Sequence, residues 1–464
     1  MKITKLFFMA ALALLMTACS NNNDSDFAQQ PLKAKGITIT ARLAPKTDGA
    51  ATRAVADNGD DKITVTWATD EHIAILYEVG STKYMADAAI TDVNSDGAAT
   101  IQFTVEDGTP DGTPCTLVYP LSAAKADHSG VKDFATLLAN QDGTLNANLD
   151  VRVGDGTIQT STPSLTVTTQ PAAQFSIFKL TMMDIEGEAE VSAASVVISD
   201  QSGTVATVTP DEGCDKVMYV ALPTTATTLK FLVTGSDSKK YFNMASGLTL
   251  DTKFYQSTVK LATVGNVIAS NGKCYKNNTA IPDGNTAVAM ITYLGDDAET
   301  NTTYRNGLAL ALNDAASSIT QLWGSTKSET YQRTCLTNQY TTWNTAINDM
   351  AGIANTDALV SHTKHTHPAA NYATLYEKLD VNHPKHPTGT SEWFLPSCGQ
   401  WYKMQTAAGS YDNLCNNVGM ESKDYWSSTE YSSNNAWRSY YGSNSDNPHP
   451  AKGFLMKVRS CLAF

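Results

Sequence analysis

The chain has 464 residues, more than one hydrophobic core usually serves, and 42% of them are hydrophobic, which is enough for two or three domains. Its formal net charge is −13 and the sequence has no basic cluster, which excludes a phosphate-neutralising surface. Nucleic acid and anionic bilayer surfaces are therefore not expected as partners.

The first 19 residues predict an export signal. Lys2 and Lys5 precede an apolar run, 6–15, that is too short to span a bilayer. The next stretch, Met-Thr-Ala-Cys at 16–19, resembles a bacterial lipobox, although Met stands where Leu is usual. That resemblance implies lipidation, for example by palmitate, at Cys19. The alternative is a plain signal peptide with an incidental cysteine.

Residues 20–53 predict a polar tether, and residues 54–262 predict an all-β region. Thr-rich segments with period-two alternation, bounded by Gly, Asp, Asn or Pro, are typical of half-buried strands. Between residues 37 and 262 these segments are GITITARL, KITVTW, HIAILYEV, ATIQFTV, FSIFKLTM, SVVIS, KVMYVALP, LKFLVTG and YQSTVKL. Almost no helical pattern interrupts them, so we predict two successive β-sandwiches.

Five features stand out as far as residue 182: the lipobox, ATRAV at 51–55, ITVTWATDEHIAILYE at 63–78, LVYP at 117–120 and FSIFKLTM. Together they resemble the fimbrillin-like proteins of Bacteroidales. The resemblance covers about the first 260 residues and implies a subunit of a fimbria, or pilus, at the cell surface. Before processing, the lipid would hold the chain on the outer membrane.

The same resemblance implies a route of assembly. A trypsin-like protease would cleave after Arg53, and the resulting groove would accept a strand from another fimbrial subunit, whose backbone satisfies an open sheet edge. The alternative is that Arg53 is merely an exposed loop arginine.

Residues 263–464 predict a separate α+β domain. Six of the seven tryptophans lie beyond residue 320. Helical spacing of apolar residues predicts helices over 306–317 and 341–359, and a third in 391–409 with Pro396 near its start. The last residues, KGFLMKVRSCLAF, predict a buried closing strand. A subunit closed in this way would accept a strand but not donate one, as expected at a fibre tip.

The domain carries, in this order, the motifs NGLALAL, W…G…NT, WFLPS, YWSSTE, NAW and a terminal VRSCLAF. This ordered set resembles the C-type-lectin-like domains of bacterial surface proteins, and it matches most closely the variable proteins diversified by retroelements. The resemblance covers about residues 270–464. It implies a framework formed by Trp393, Trp426, Trp437, Gly453, Val458, Arg459 and Phe464.

Between the framework residues lies a candidate recognition surface. Fifteen of the 26 residues at 425–450 are Tyr, Ser or Asn, the composition of antibody paratopes, in which Tyr supplies rigid contact area and Ser and Asn adaptable hydrogen bonds. The candidate ligand-binding residues are Tyr431, Ser433, Asn434, Arg438, Tyr440, Ser443, Asn444, Asp446, Asn447 and His449. The expected ligand is a protein or glycan of a host, a bacterium or the matrix. Adenine-directed mutation of Asn codons would give the same composition, and a solvated loop is the alternative.

The sequence predicts no catalytic residue, cofactor or metal. It lacks G-x-S-x-G, H-E-x-x-H, phosphate-loop and dinucleotide-binding motifs, and the cysteines form no C-x-x-C pair. Five of the eight histidines lie in 361–387, but their spacing and three nearby prolines favour a solvated loop over a metal site. The calcium-dependent sugar motifs of C-type lectins are also absent at the matching place.

The expected function is therefore that of a fimbrial tip subunit and adhesin, and not of an enzyme. Three alternatives stay open. The first is a stalk or anchor subunit whose extra domain only caps the assembly, and the second is a surface glycan-binding lipoprotein outside a fimbria. The third is a hydrolase or modifying enzyme.

Overall fold

The structure, a computed structural model, describes residues 36–46, 56–57, 63–64, 66–282, 284–315, 320–324, 335–362, 366–380, 383–420, 424–439 and 449–464. Within them, strands dominate as far as residue 311, and every α-helix except one of five residues lies after residue 340. The strands fall into three groups along the chain.

The first group forms a curled antiparallel sheet. Its elements are β1 (Ile37–Leu43), β2 (Ala56–Asp57), β3 (Ile63–Thr64), β4 (His72–Val79), β5 (Thr82–Val93), β6 (Ala99–Val105), β7 (Thr113–Tyr119), α1 (Phe134–Leu138), β8 (Asn140–Gln141), β9 (Arg152–Gln159) and β10 (Ser164–Ala173). Seven strands pair in the order β1-β6-β5-β4-β7-β9-β10, β2 pairs with β3, and β8 joins a sheet of the second group. The backbone N–H of Ala44 donates to Gln170 Oε1 at 3.2 Å, so the two edges approach and the sheet encloses its own core.

The second group is a two-sheet sandwich. Its strands are β11 (Phe175–Asp184), β12 (Ala193–Asp200), β13 (Gly203–Val208), β14 (Val217–Pro223), β15 (Thr228–Gly235), β16 (Lys240–Ser246) and β17 (Phe254–Leu261). One sheet has the order β14-β11-β17 and the other has the order β16-β15-β12-β13-β8. Leu180 and Val220 of the first sheet pack with Val196 and Phe231 of the second, which forms the core between them.

The third group mixes strands and helices. Its elements are β18 (Val267–Ala269), β19 (Cys274–Tyr275), β20 (Ala287–Leu294), β21 (Gly307–Ala311), β22 (Gln321–Leu322), α2 (Trp343–Ala346), α3 (Gly352–Val360), α4 (Pro368–Thr374), α5 (Tyr376–Leu379), α6 (Cys398–Ala407), α7 (Tyr411–Val418), β23 (Trp426–Glu430), β24 (Ala436–Arg438), β25 (Leu455–Met456) and β26 (Cys461–Ala463). A sheet of order β19-β18-β20-β21-β26 lies at its centre. Helices α6 and α7 cover one face of this sheet through Trp401, Met404 and Leu414.

The opposite face of that central sheet meets the second sandwich. Phe242 and Met244 of β16 belong to one buried cluster together with Ile268 of β18 and Leu462 of β26. The buried ammonium of Lys230 also donates to the carbonyl of Thr303 at 2.9 Å. The second sandwich and the C-terminal region therefore share a hydrophobic core, although the composition and the secondary structure change sharply between them.

Most predicted strands are confirmed. Eight of the nine segments coincide with strands along most of their length, whereas KITVTW contributes only β3 within the described residues. The prediction of two sandwiches is wrong for the first group, which is a single curled sheet. Alternation marks the buried face of a strand, but it does not reveal which sheet covers that face.

The predicted helix over 306–317 is wrong, because Gly307–Ala311 is the fully buried strand β21. A short apolar run in a strand buried on both faces has no alternation, so it resembles a helical segment. The other two helical regions are confirmed by α2, α3 and α6, and the predicted closing strand is β26. Ser397 caps α6 through a capping box with Gln400.

Candidate functional site

The hairpin of β23 and β24 carries part of the candidate recognition surface, and buried hydrogen bonds hold its backbone in place. All five residues of β23 are buried. Trp426 Nε1 donates to the carbonyl of Gln321 at 2.8 Å, and Trp323 Nε1 donates to the carbonyl of Ser427 at 2.7 Å. Buried tryptophans that donate hydrogen bonds in this way hold a backbone in one position.

A buried carboxylate ties β23 to two neighbouring helices. Asp349 Oδ2 accepts a hydrogen bond from Thr429 Oγ1 at 2.6 Å, and Thr429 Oγ1 accepts one from the N–H of Cys398 at 2.8 Å. Asp349 also accepts from Asn355 Nδ2 at 2.9 Å. Burial raises the pKa of Asp349, and these hydrogen bonds partly oppose that effect. The site therefore rests on a rigid support.

An ion pair is buried beneath the turn that follows β23. Glu430 is fully buried and accepts hydrogen bonds from the N–H groups of Cys335 and Leu336, both at 2.9 Å, and from Lys452 Nζ. Lys452 Nζ also donates to the carbonyl of Ser433 at 3.0 Å and lies 4.8 Å from the ring centre of Trp323. The pair connects the turn at 431–435 to the segment that begins at residue 449.

Two candidate residues stack on each other at this turn. The rings of Tyr431 and His449 lie 3.7 Å apart at an angle of 14°, and both contact Trp437 edge-on. Asn435 Nδ2 donates to the carbonyl of His449 at 2.7 Å. Tyr431 and His449 are half-buried, so each exposes only part of its surface.

The remaining candidates do not form one cluster among the described residues. Asn434 is exposed and Ser433 half-buried at the same turn as Tyr431. Arg438 pairs with Trp426 at the other end of the hairpin, where its Nη1 donates to Asp424 Oδ1 at 2.7 Å. Tyr440, Ser443, Asn444, Asp446 and Asn447 lie outside the described residues, as do Cys19 and Arg53.

The structure adds aromatic residues that sequence reasoning missed. Trp343 of α2 lies 5.8 Å from Trp437 and 5.8 Å from Tyr402 of α6, measured between ring centres. Tyr402 is 36% exposed and Trp343 is half-buried, so a row of rings runs from α6 to His449. Its members are distant in sequence. The one sequence signal that could have found Trp343 is its place as an isolated Trp in the uncharged polar stretch TTWNT.

The predicted framework residues are mostly buried. Trp393, Trp426, Trp437, Val458, Arg459 and Phe464 are each at most 2% exposed, whereas Gly453 is exposed. Arg459 Nη1 donates to the carbonyl of Ala311 at 3.0 Å, which ties the last segment to β21.

A second candidate site is the edge of the first sheet. Among the described residues, strand β1 pairs with β6 alone, and it turns Ile39, Ala41 and Leu43 into the core. Residues 47–55, which include the predicted cleavage position, follow this strand and lie outside the described residues. The edge strand and the predicted cleavage position are therefore neighbours in the chain.

In the part of the chain that the structure describes, no group of three or more His, Cys, Asp and Glu side chains is placed to hold a metal ion. The described helices also include none with the length and apolar character needed to cross a membrane.

Comparisons with known proteins complete these observations. No family model and no curated protein matches the chain. Among solved structures it is similar to a fimbrial assembly protein from Parabacteroides distasonis, with 12% identity over 48% of this chain and 90% of that chain and a TM-score of 0.30. It is also similar to proposed cell adhesion proteins from Bacteroides ovatus (15% identity, 49% and 95% covered, TM-score 0.29) and Bacteroides fragilis (13%, 54% and 96%, 0.29). TM-scores of this size do not establish a common fold.

Proposed function

We propose that the chain is a cell-surface fimbrial subunit that accepts a strand from a neighbouring subunit and presents its C-terminal region, at the fibre tip, to a protein or glycan ligand. The observation that carries this proposal is the position of β1. It is an edge strand of the first sheet, and the segment with Arg53 follows it directly.

Loss of the chain up to Arg53 would remove β1 from the sheet. The backbone groups of β6 that now pair with β1 would lose their partners. Three inward positions, those of Ile39, Ala41 and Leu43, would become open pockets. An open edge with side-chain pockets is the requirement for binding an added strand.

The last strand, β26, is paired within the C-terminal region. β26 pairs with β21, and the backbone of Cys461 forms a further antiparallel β-bridge with that of Phe394. All three residues of β26 are buried. This strand is not available for donation in this conformation, which supports a place at the tip over a place in the stalk.

The recognition role is proposed for the turn at 431–435 and for residues 440–448, which follow β24 in the sequence. The support below is rigid, because Asp349, Glu430 and the tryptophans fix the backbone through hydrogen bonds. A rigid base under Tyr, Ser and Asn side chains limits the conformational entropy lost on binding. We assign the surface no catalytic role, cofactor or metal.

Export and anchoring complete the proposal. The lipobox-like stretch ending in Cys19 supports lipidation and transfer to the outer membrane, and cleavage after Arg53 would then release the chain from its anchor. Mass spectrometry of the mature protein from its own cells tests this order. A mature chain that begins at Ala54 supports it, and a mature chain that retains the lipid on Cys19 contradicts it.

The main experiment tests whether the chain enters fibres and where along them it lies. Fibres from cells with the wild-type chain are compared with fibres from cells with Arg53→Ala, and the protein is located by immunogold labelling. We expect label at fibre ends for the wild type and none in fibres for the variant. Label along the fibre would favour the stalk alternative.

Recognition is tested with glycan and protein arrays. The processed chain is compared with a variant in which residues 440–448 are replaced by Gly and Ser of equal length, so that the ion pair of Glu430 and Lys452 is kept. Binding that is unchanged by the replacement would contradict a role for this segment.

One observation favours the alternative of a glycan-binding lipoprotein outside a fimbria. The row of rings from Tyr402 to His449 offers aromatic surface beside uncharged polar residues, which suits sugar rings, and it requires no cleavage. Glycan binding by chains that remain lipidated and absent from fibres would support that alternative.

A further inference from the structure

Lys46 follows strand β1 by three residues and is buried in a cage of charged and aromatic groups. Only 1% of its side chain is exposed. Its Nζ lies 3.0 Å from Asp150 Oδ2 and 3.8 Å from Glu71 Oε2. The ammonium also lies 3.8 Å from the ring centre of Tyr119 and 4.3 Å from that of Trp67. This is a dedicated site for one cation.

The residues that surround Lys46 lie in the part of the first sheet that would remain after loss of β1. Trp67 and Glu71 precede β4, Tyr119 ends β7 and Asp150 precedes β9. The hydroxyl group of Tyr119 donates a hydrogen bond to Glu71 Oε1, and Arg152 Nε donates one to Asp150 Oδ1 at 2.8 Å. The cage is therefore built mainly from contacts that do not involve Lys46.

Departure of Lys46 changes the charge balance of the cage. With Lys46 present, two carboxylates, Glu71 and Asp150, face two cations, Lys46 and Arg152. Without it, the only cation that the described residues place beside these carboxylates is Arg152, which pairs with Asp150, and both acidic side chains are at most 9% exposed. An uncompensated buried charge is strongly unfavourable. An added strand that left the cage empty would bind to a sheet with this defect.

We propose that the strand donated to this chain carries a lysine that refills the cage, three residues after its last inward-facing apolar residue. This inference rests on the proposed strand addition and specifies the chemistry of the partner. The expected pattern is a large apolar residue, a small one and a large apolar one at alternate positions, followed by the lysine, as in Ile39, Ala41, Leu43 and Lys46.

The cage favours an amine for physical reasons. Burial lowers the pKa of Lys46, while Asp150 and Glu71 oppose this effect by their negative charge. Two aromatic faces within 4.3 Å add cation–π attraction in a site from which water is largely excluded. An apolar side chain of equal length would fill the volume but supply neither interaction.

The test uses the full chain with residues 48–53 replaced by a site for a specific protease, so that only this connection is cut. After cutting, the resident strand is exchanged for fluorescent peptides under mild denaturant. One peptide has the sequence of residues 36–46, one carries Lys46→Met, and the matched control carries Arg42→Met. Arg42 is an exposed cation on the same strand.

The parent peptide and the Arg42→Met peptide should bind within about threefold of each other, because the interactions of an exposed charge contribute little. The Lys46→Met peptide should bind at least about 100-fold more weakly, because it leaves the cage uncompensated. In a chain with Asp150→Asn, this discrimination should shrink, which attributes it to the cage.

The outcomes separate the two proposals. If the parent and Lys46→Met peptides bind equally, the lysine requirement is overturned and strand addition stands. If the parent peptide never replaces the resident strand, strand addition at this edge is overturned and the lysine requirement falls with it.

Discussion

Phe242 and Phe464 pack against each other with their ring centres 4.3 Å apart, at an angle of 45°. Both residues are fully buried. Phe242 belongs to the second sandwich, whereas Phe464 lies directly after β26 of the C-terminal region. This contact joins the two regions, so the stability of the proposed ligand-binding part depends on the sandwich beneath it.

The first prediction concerns that contact. Phe464→Ala should lower the free energy of unfolding by about 3–5 kcal/mol, because it leaves a cavity at the shared core. Urea denaturation monitored by tryptophan fluorescence measures the change. Phe454→Ala is the control, since Phe454 is 56% exposed and its loss should cost about 0.5 kcal/mol or less. Equal losses for the two variants would contradict the shared core.

Gly307 provides a second test of the same packing. A Cβ at this position would lie 2.4 Å from the Phe464 ring and 2.7 Å from the carbonyl oxygen of Tyr293. Gly307→Ala should therefore destabilise the protein by about 1–3 kcal/mol through overpacking, measured by thermal or urea unfolding. Gly324→Ala is the control, because its Cβ would meet nothing closer than 3.8 Å. A Gly307→Ala protein as stable as the control would show that the ring moves aside freely.

The sequence predicted local features better than long-range ones. Alternation located strands such as β1 and β6, because buried residues alternate with more exposed ones along each of them. It failed for Gly307–Ala311, where burial of every residue removes the pattern. It also did not reveal that the first sheet curls around its own core, since that depends on where the two edge strands meet.

The candidate site shows the same limit. Composition marked the segment at 425–450, but it did not show that Tyr431 and His449 stack on each other or that Arg438 lies at the opposite end of the hairpin. The Lys46 cage was also not foreseen. Its walls come from residues as far apart as Trp67 and Asp150, and only the fold brings them together.

The third prediction concerns the ion pair beneath the recognition turn. Lys452→Met should lower the free energy of unfolding by about 3–5 kcal/mol at pH 7, because the carboxylate of Glu430 stays fully buried without its cation. Lys239→Met is the matched control. Lys239 pairs with Asp237 at the surface and its side chain is 70% exposed, so its loss should cost less than about 1 kcal/mol. Urea denaturation compares the two variants. Similar losses would mean that solvent reaches Glu430.

The last prediction is a pH dependence that originates at Lys230. Burial lowers the pKa of Lys230 to about 8, below its ordinary value of 10.5. Below pH 8 the amine is charged in both the folded and the unfolded protein, and the full cost of burying the charge is present. Between pH 8 and 10.5 the unfolded chain binds more protons than the folded protein, so stability contributed by this group rises with pH.

Relative to Lys230→Met, the wild type should therefore gain about 2 kcal/mol between pH 8 and pH 10, measured by urea denaturation at each pH. The comparison between the two proteins removes the titration of tyrosines, which both share. Lys216→Met is the control, because the side chain of Lys216 is 49% exposed and its curve should run parallel to that of the wild type. Parallel curves for Lys230→Met as well would mean that the amine stays charged in the folded protein throughout this range, held by its hydrogen bond to Thr303 and by Asp200.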